Sequence, residues 1–375
     1  MRIVTDRGGR AGLVALALLV CAGCGWLGGS SRPSWIDGNS PQFPSTQYLV
    51  GVGQADSRPQ ATEQAYAAVS RIFKAEITAQ AKDWESYLVV ETRGHTNTER
   101  RLTLDNVTRV TTDKVLENVQ VLDTWFDQKT RQYYALAGMN RAQAESAMVE
   151  RLTELDRTIQ TEVTEAHQTQ DKLSHVRNLK RAAKNLVLRE AYNADLRTIR
   201  SSGQGNAAAY RVADLIAELE QFLATNMGMA VEVSGEQAEP LERALMDGLT
   251  QEGFSVVGHG RGAGTSPAEL FIKGTVRMWP IEVPDPQFRY VRWCTDAVIE
   301  EVSTHRVIGA VSKGGKEGHV TEREAAAKAV RVMQQEFSSD LAHAVAAHVY
   351  GETELSVSTF APSGCPREAA QPPSR

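Results

Sequence analysis

The first apolar run of the chain after its N-terminal segment predicts a strand followed by a helix. Residues 48–53 read Tyr-Leu-Val-Gly-Val-Gly, a pattern typical of a buried strand, and Pro59 stands where proline favours the start of a helix. The apolar face predicted for this helix consists of Ala61, Ala65, Ala68, Ile72, Ala75 and Ala79. Such a small-residue face suits packing on a sheet, so we expect Gly51 and Gly53 to lie close to the helix.

Further alternation completes a small α+β unit over residues 33–140. Residues 84–90 predict a strand, and residues 102–116 predict a helix. Residues 119–126 and 133–139 predict a β-hairpin whose turn is Asp127-Gln-Lys-Thr130.

Residues 141–226 are helical by pattern. The seam expected to face another helix consists of Met148, Leu152, Leu155, Ile159 and Val163. A polar stretch at 167–172 interrupts the pattern, and Ser201-Ser-Gly-Gln-Gly205 breaks it. One long helix with a return and an arrangement of three helices both fit this pattern.

Residues 227–350 predict an order of β-α-β-β-β-β-α. Strands are expected at 229–233, 254–257, 270–279, 290–302 and 306–312, with helices at 240–251 and after Thr321. The inward face of the closing helix is predicted to hold Ala325, Ala329, Val332, Phe337 and Leu341. The fold class predicted for the whole chain is α+β, and this last region is a sheet with helices on one face.

The N-terminus predicts export and lipidation. Arg2, Arg7 and Arg10 precede the apolar run 11–20, and Cys24 follows small residues, which resembles a bacterial lipobox. Cys21 stands where that motif usually has Leu, and an ordinary cleaved signal peptide is the alternative interpretation. The predicted divisions are a signal peptide at 1–23, a flexible tether at 24–32 and a disordered tail at 351–375.

Composition narrows the classes of partner. The net charge of −5 offers no basic field for nucleic acid. If Cys21 is removed and Cys24 is acylated, Cys294 and Cys365 remain, which is too few for a disulfide framework. A bridge between these two cysteines is left open. Gly25 after the acylated residue matches the outer-membrane sorting pattern of lipoproteins.

Two glycine-rich stretches do not satisfy nucleotide motifs. In Gly258–Gly264 the third glycine of a dinucleotide fingerprint is missing, and Pro267 with a strand follows instead of a helix. In Gly309–Lys316 the position that requires lysine is Gly315, and Glu317 replaces the magnesium-binding hydroxyl. The first stretch therefore predicts a strand connection and the second a turn.

The pattern offers no catalytic constellation. His343 and His348 are five residues apart on one predicted helix, about 140° around its axis, which does not suit a shared metal. No G-x-S-x-G nucleophile elbow occurs. We predict no catalytic, cofactor-binding or metal-ligating residue, although catalytic groups can converge from distant positions.

Two regions resemble known families. Pro33-Ser-Trp35, the run 48–55 and the helix through Ala65, Ala68 and Ile77 resemble the Lpp-twenty family of bacterial outer-membrane lipoproteins. Residues 227–350 are similar in element order to the amino-terminal domain of TolB and related envelope lipoproteins. The resemblance carries over no catalytic residue.

These features together predict a non-enzymatic lipoprotein, acylated with palmitate-type chains at Cys24 in the outer membrane and facing the periplasm or the cell surface. The expected role is that of a scaffold or assembly factor with an envelope protein as partner, with or without homo-oligomers. The alternatives are a regulator of cell-wall synthesis or secretion, and a periplasmic cell-wall hydrolase.

Overall fold

The computed structural model describes residues 32–80, 116–258 and 268–352, together with 84, 87–89, 105–111 and 113. Two compact units divide the chain. The first unit contains residues up to 71 and 116–143, and the second contains 72–115 and 144 onward. Each unit contains helices and one β-sheet, which confirms the predicted α+β class.

The first unit contains a three-stranded antiparallel sheet. Its strands are β1 (Tyr48–Ala55), β2 (Gln120–Asp127) and β3 (Gln132–Asn140), in the order β1-β3-β2. The predicted hairpin is confirmed, and Arg131 ends its turn with a φ of 60°. Helix α1 (Arg58–Gln80) begins in this unit.

Glycine is required where β1 meets α1. A Cβ built on Gly53 would overlap the carbonyl of Ala61 and the amide of Ala65, and one on Gly51 would lie 2.8 Å from the carbonyl oxygen of Ala65. The prediction that these glycines lie against the helix is confirmed.

The buried face of α1 differs from the predicted one. Its buried residues are Ala61, Ala65, Val69, Phe73 and Ile77, each four positions after the last. Ile72 is 41% exposed, and Ala75 and Ala79 are exposed as well. The prediction was wrong beyond Ala65 because the larger side chains on the adjoining stripe bury more apolar area than alanine does.

The strand predicted at 84–90 is wrong in its described part. Trp84 lies in a short 3₁₀ turn and Tyr87–Val89 are α-helical. Trp84, Tyr87 and Leu88 are buried, at the i, i+3, i+4 spacing of a helix face. Residues 105–111 are helical, in agreement with the helix predicted over 102–116.

Three helices form the middle of the chain, which decides between the two arrangements left open. They are α2 (Arg141–Gln168), α3 (Lys172–Ile199) and α4 (Val212–Asn226). The predicted seam of α2 is buried in full. Asp171 caps α3 by accepting hydrogen bonds from the amides of Leu173 and Ser174 at 3.1 and 3.2 Å.

The second unit also contains a five-stranded sheet. Its strands, listed in chain order, are β4 (Gly228–Gly235), β5 (Ser255–Gly258), β6 (Leu270–Ile281), β7 (Arg289–Glu301) and β8 (Arg306–His319). The spatial order is β5-β4-β6-β7-β8, with β4 parallel to both its neighbours and the remaining pairs antiparallel. The predicted order of elements is confirmed.

Helices α5 (Ala238–Gln251), α6 (Glu322–Glu336) and α7 (Ala342–Tyr350) accompany this sheet, and a π-helical turn at Phe337–Leu341 joins the last two. Thr321 caps α6 as predicted. On α6 the buried residue is Met333, whereas the sequence predicts Val332 on the inward face. Residues 309–316 lie inside β8, so the turn predicted there is wrong.

Candidate partner-binding surface

The two edges of the five-stranded sheet are very unequal. The edge strand β5 has 4 residues, whereas β8 has 14. β8 pairs with β7 from Arg306 opposite Glu301 to His319 opposite Arg289, and no other described strand pairs with it. One side of β8 therefore presents a long row of backbone donors and acceptors, a template for pairing with another strand.

The sequence of β8 does little to obstruct that edge. It contains no proline, and its one register shift lies near its start, opposite Ile299 and Glu300. Its four glycines are Gly309, Gly314, Gly315 and Gly318. A Cβ on Gly315 would lie 2.6 Å from the ring of Trp293, and one on Gly318 would lie 2.5 Å from the ring of Tyr290. These glycines let β7 aromatics cover β8 and keep its backbone accessible.

Charges on the helix side of β8 are balanced. The ammonium group of Lys313 lies 2.9 Å from Asp340 and 3.1 Å from Glu336. The hydrogen bond from Lys313 lowers the pKa of Asp340, and the same contact raises the pKa of Lys313. Glu317 pairs with Lys328 of α6 at 3.0 Å.

The opposite face of the sheet retains positive charge at β8. The acids of β7 on this face are already paired, since Asp296 contacts Arg277 at 2.7 Å and Glu300 contacts Lys273 at 2.8 Å. Lys316 lies over the ring of Tyr290, 5.0 Å from its centroid, and forms no ion pair with a described residue.

Arg306, the first residue of β8, likewise forms no ion pair with a described residue. Three cations and one acid in β8 give the strand a formal charge of +2, counting Arg306, Lys313 and Lys316 against Glu317. Lys313 and Glu317 are paired within the unit, and Arg306 lies opposite Glu301 of β7. The remaining cation of β8, Lys316, lies opposite Arg292 of β7 and faces no acid there.

A cavity of about 560 Å³ adjoins β8 on its helix side. Its lining includes Val311 and Lys313 of β8, Gly248 and Glu252 at the end of α5, and Ser338 and His343 around the π-helical turn. Gly248 admits the carbonyl of Ser338, which a side chain would displace. Turns of π-helix occur frequently at functional sites.

A second polar site surrounds Arg189 of α3, beside a cavity of about 630 Å³. The side chain of Arg189 is fully buried, and all five of its N–H donors have acceptors. The acceptors are Asp156, Glu190 and the carbonyl oxygens of Asn206 and Ala207. Asn193 accepts from the amide of Asn206 at 2.7 Å. This network fixes the loop at 200–211, which is a structural role.

Asp195 lies on the same helix and is fully buried, but neither of its carboxylate oxygens has a hydrogen-bond partner within the described structure. Desolvation, reinforced by the negative charge of Glu76, raises the pKa of Asp195 to about 8. Its side chain is therefore mainly neutral at pH 7.

The structure leaves the predicted lipidation site untested. Cys24 and residues 259–264 lie outside the described residues. His343 and His348 both lie on α7, and the described residues contain no group of three or more side chains suited to a metal ion. No described helix has both the length and the apolarity needed to cross a bilayer.

The last strand predicted from the sequence ends at Ser312, whereas β8 runs to His319, so the prediction missed half of the edge strand. The glycines of β8 hide the alternating pattern of apolar and polar side chains there.

Cys294 is buried in β7 and disulfide-bonded. The other cysteines lie outside the described residues, so the pairing of Cys294 with Cys365 stays open.

The comparison with protein families concerns the first predicted domain. Residues 33–140 match the LPP20 lipoprotein family. The match confirms the resemblance seen in the sequence and identifies this segment as lipoprotein-like. It ends at residue 140, so the similarity of 227–350 to TolB stays a prediction.

Solved structures resemble the chain only distantly. A secreted protein of Helicobacter pylori is 12% identical in sequence, with a TM-score of 0.38. The alignment covers 80% of this chain and 97% of the Helicobacter pylori chain. A minor lipoprotein of Acinetobacter baumannii is 13% identical, with a TM-score of 0.23, and the alignment covers 33% of this chain and 93% of that lipoprotein. No curated protein matches the sequence. These likenesses are too low to transfer a function.

Proposed function

We propose that the chain is an outer-membrane lipoprotein, anchored through acyl chains on Cys24, that acts as a non-enzymatic scaffold for an envelope assembly. The signal pattern before Cys24 and the LPP20 match at 33–140 support the lipoprotein character. The disulfide at Cys294 suits an oxidising compartment outside the cytoplasm.

The observation that carries the scaffold role is the long edge of β8. A row of backbone groups that no described strand pairs suits the main chain of another protein, which can add a strand to the sheet. The adjoining cavity and the cations of β8 give such a strand specific side-chain contacts. A binding surface of this kind requires no chemical step.

The anchor is tested by replacing the acylated residue. In Cys24→Ser the thiol that receives the lipid is gone, so we expect the protein to leave the membrane fraction or to persist as an uncleaved precursor. Ser30→Ala in the tether is the matched control and should fractionate like the wild type. A Cys24→Ser protein that is still acylated and membrane-bound would exclude this anchor.

The scaffold role is tested in intact cells with a photo-crosslinking amino acid at position 316 or, as a control, at Arg243 on α5. Both side chains are exposed, but only Lys316 lies on β8. We expect one adduct of defined mass from position 316 and none from 243. Equal adducts from both positions would argue against a β8 scaffold surface, and muropeptide release by the purified protein above that of a heat-inactivated sample would show a hydrolase instead.

A further inference from the structure

We propose that β8 accepts an extended acidic segment of an envelope partner as a sixth strand of the sheet. This inference rests on the scaffold role and adds the chemical class of the partner. The chain offers a contrast within one sheet, since the edge strand β5 has 4 residues and the edge strand β8 has 14, and no described strand other than β7 pairs with β8. Long exposed edges are usually blunted by proline, repeated bulges or shortness, and β8 relies on charge alone.

The position of that charge selects the partner. Lys316 forms no ion pair with a described residue, while the acids of β7 on the same face, Asp296 and Glu300, are occupied by Arg277 and Lys273. Arg306, at the start of the strand, lies opposite Glu301 on the helix side and does not add to this charge. Complementary charge across an added strand favours carboxylates and disfavours lysine or arginine.

The period of a strand then sets the pattern of the partner. Successive residues of an added strand point to opposite faces of the sheet. Side chains on the face of Lys316 should be acidic, whereas those on the helix side lie beside Val311, Lys313 and the 560 Å³ cavity. The expected segment is therefore acidic at every second residue, with apolar or small residues between.

The glycines of β8 make the approach of a second backbone feasible. Gly314 and Gly318 belong to the half of β8 that carries Lys316, where side chains offer the least obstruction to a neighbouring strand. Trp293 and Tyr290 hold this half from the β7 side. The edge is thus supported by its own sheet before a partner arrives, which reduces the ordering cost of binding.

The test uses the lipidated mature protein in detergent and short fluorescent peptides that alternate Glu and Val or Lys and Val. Anisotropy at low ionic strength should give at least about tenfold tighter binding for the Glu peptide, a preference that weakens with added salt. Lys316→Glu should remove the preference, and Arg243→Glu, the same charge change on α5, should retain it. Unchanged circular dichroism and melting temperatures establish that both variants are folded.

Backbone pairing has its own readout. Two Glu peptides carrying N-methyl groups at alternate residues, one at even and the other at odd positions, should differ, because only one set of N–H groups faces β8. The peptide that binds should slow amide exchange within 306–319. Equal binding of both N-methyl peptides, or protection elsewhere, would overturn strand addition.

Two further results would overturn the choice of partner. Equal affinity for the Glu and Lys peptides would show that the charge of β8 selects nothing. A stable dimer of the free protein in sedimentation, with the same amides protected, would make a second copy of this chain the occupant. Neither result affects the Cys24 fractionation or the crosslink at position 316, so failure here is distinguishable from failure of the proposed function.

Discussion

Two neighbouring parts of α3 bury a side chain that is normally charged, and they do so in opposite ways. Arg189 has an acceptor for each of its five N–H groups, supplied by α2, its own helix and the loop at 200–211. Asp195, six residues later, has no hydrogen-bond partner within the described part of the chain. Both side chains are fully buried.

The difference shows what keeps a buried group charged. Desolvation opposes the charged form of both groups, and only hydrogen bonds and opposite charge offset it. Asp156 and Glu190 offset it for Arg189, so the guanidinium can hold two carbonyl groups of the loop. Asp195 has the carboxylate of Glu76 nearby instead, and its raised pKa means that it is buried as the neutral acid.

Replacing Arg189, whose N–H groups all have acceptors, should have the largest effect on stability. Arg189→Met leaves Glu190 and the carbonyl groups of Asn206 and Ala207 without their donor. We expect the free energy of unfolding to fall by about 3–5 kcal/mol, measured by urea denaturation. Arg181→Met on the exposed side of α3 is the control and should cost less than about 1 kcal/mol. Equal losses would show that the buried network contributes nothing special.

Replacing Asp195, whose carboxyl group has no hydrogen-bond partner in the described part of the chain, should instead raise the stability. The pKa of Asp195 is about 8 in the folded chain against an ordinary value of 3.8, so between these pH values the folded state holds a proton that the unfolded state has lost. The stability contributed by Asp195 therefore falls as pH rises from about 4 to about 8. Asp195→Asn should abolish that slope and gain about 2–4 kcal/mol at pH 8.

The measurement is denaturation of the wild type and the variant at several pH values, taken as a difference so that other groups cancel. Asp214→Asn, on the exposed face of α4, is the matched control and should leave the wild-type slope intact. A destabilised Asp195→Asn protein at pH 8 would mean that the carboxylate is charged and has a compensating partner.

A smaller loss is expected from Asn193→Ala. Its side-chain oxygen accepts the hydrogen bond from the amide of Asn206, so the substitution leaves one loop donor unpaired at a cost of about 1–3 kcal/mol. Hydrogen exchange separates this effect from general loosening, because the amide of Asn206 should exchange faster while those of α4 stay protected. Uniform acceleration would assign Asn193 to the core and not to the loop.

The smallest effect is expected from Glu76→Gln, which removes the negative charge that adds to the desolvation of Asp195. The pKa of Asp195 should fall by a fraction of a unit, equivalent to less than about 1.4 kcal/mol. Titration of its carboxyl carbon by NMR measures this directly. A larger fall would make repulsion by Glu76, and not burial, the main cause of the raised pKa.

Local periodicity predicted most of the elements but not this contrast. The seam of α2 and the order of elements along residues 227–350 follow from apolar spacing that can be read directly. Arg189 and Asp195 look like ordinary solvated positions, because their surroundings come from α2, a loop and α1. The burial of these two side chains depends on tertiary packing, which the sequence pattern of one helix does not predict.

The errors in sequence reasoning have the same origin. On α1 two neighbouring stripes were apolar, and packing selected the one through Val69 and Phe73. In β8 glycine replaced the alternating side chains, so the strand was ended at Ser312 although it runs to His319. The candidate surface could not be predicted because edge position depends on the order of strands in space.

The disulfide at Cys294 bears on when the fold is completed. Cys294 lies in β7, which pairs with both β6 and the edge strand β8, so the bridge is attached to the strand next to the candidate surface. The cytoplasm keeps thiols reduced, and an exported chain meets oxidising conditions only after crossing the inner membrane. In the proposed envelope location, newly made protein would therefore acquire the final covalent form of its partner-binding unit only at its destination.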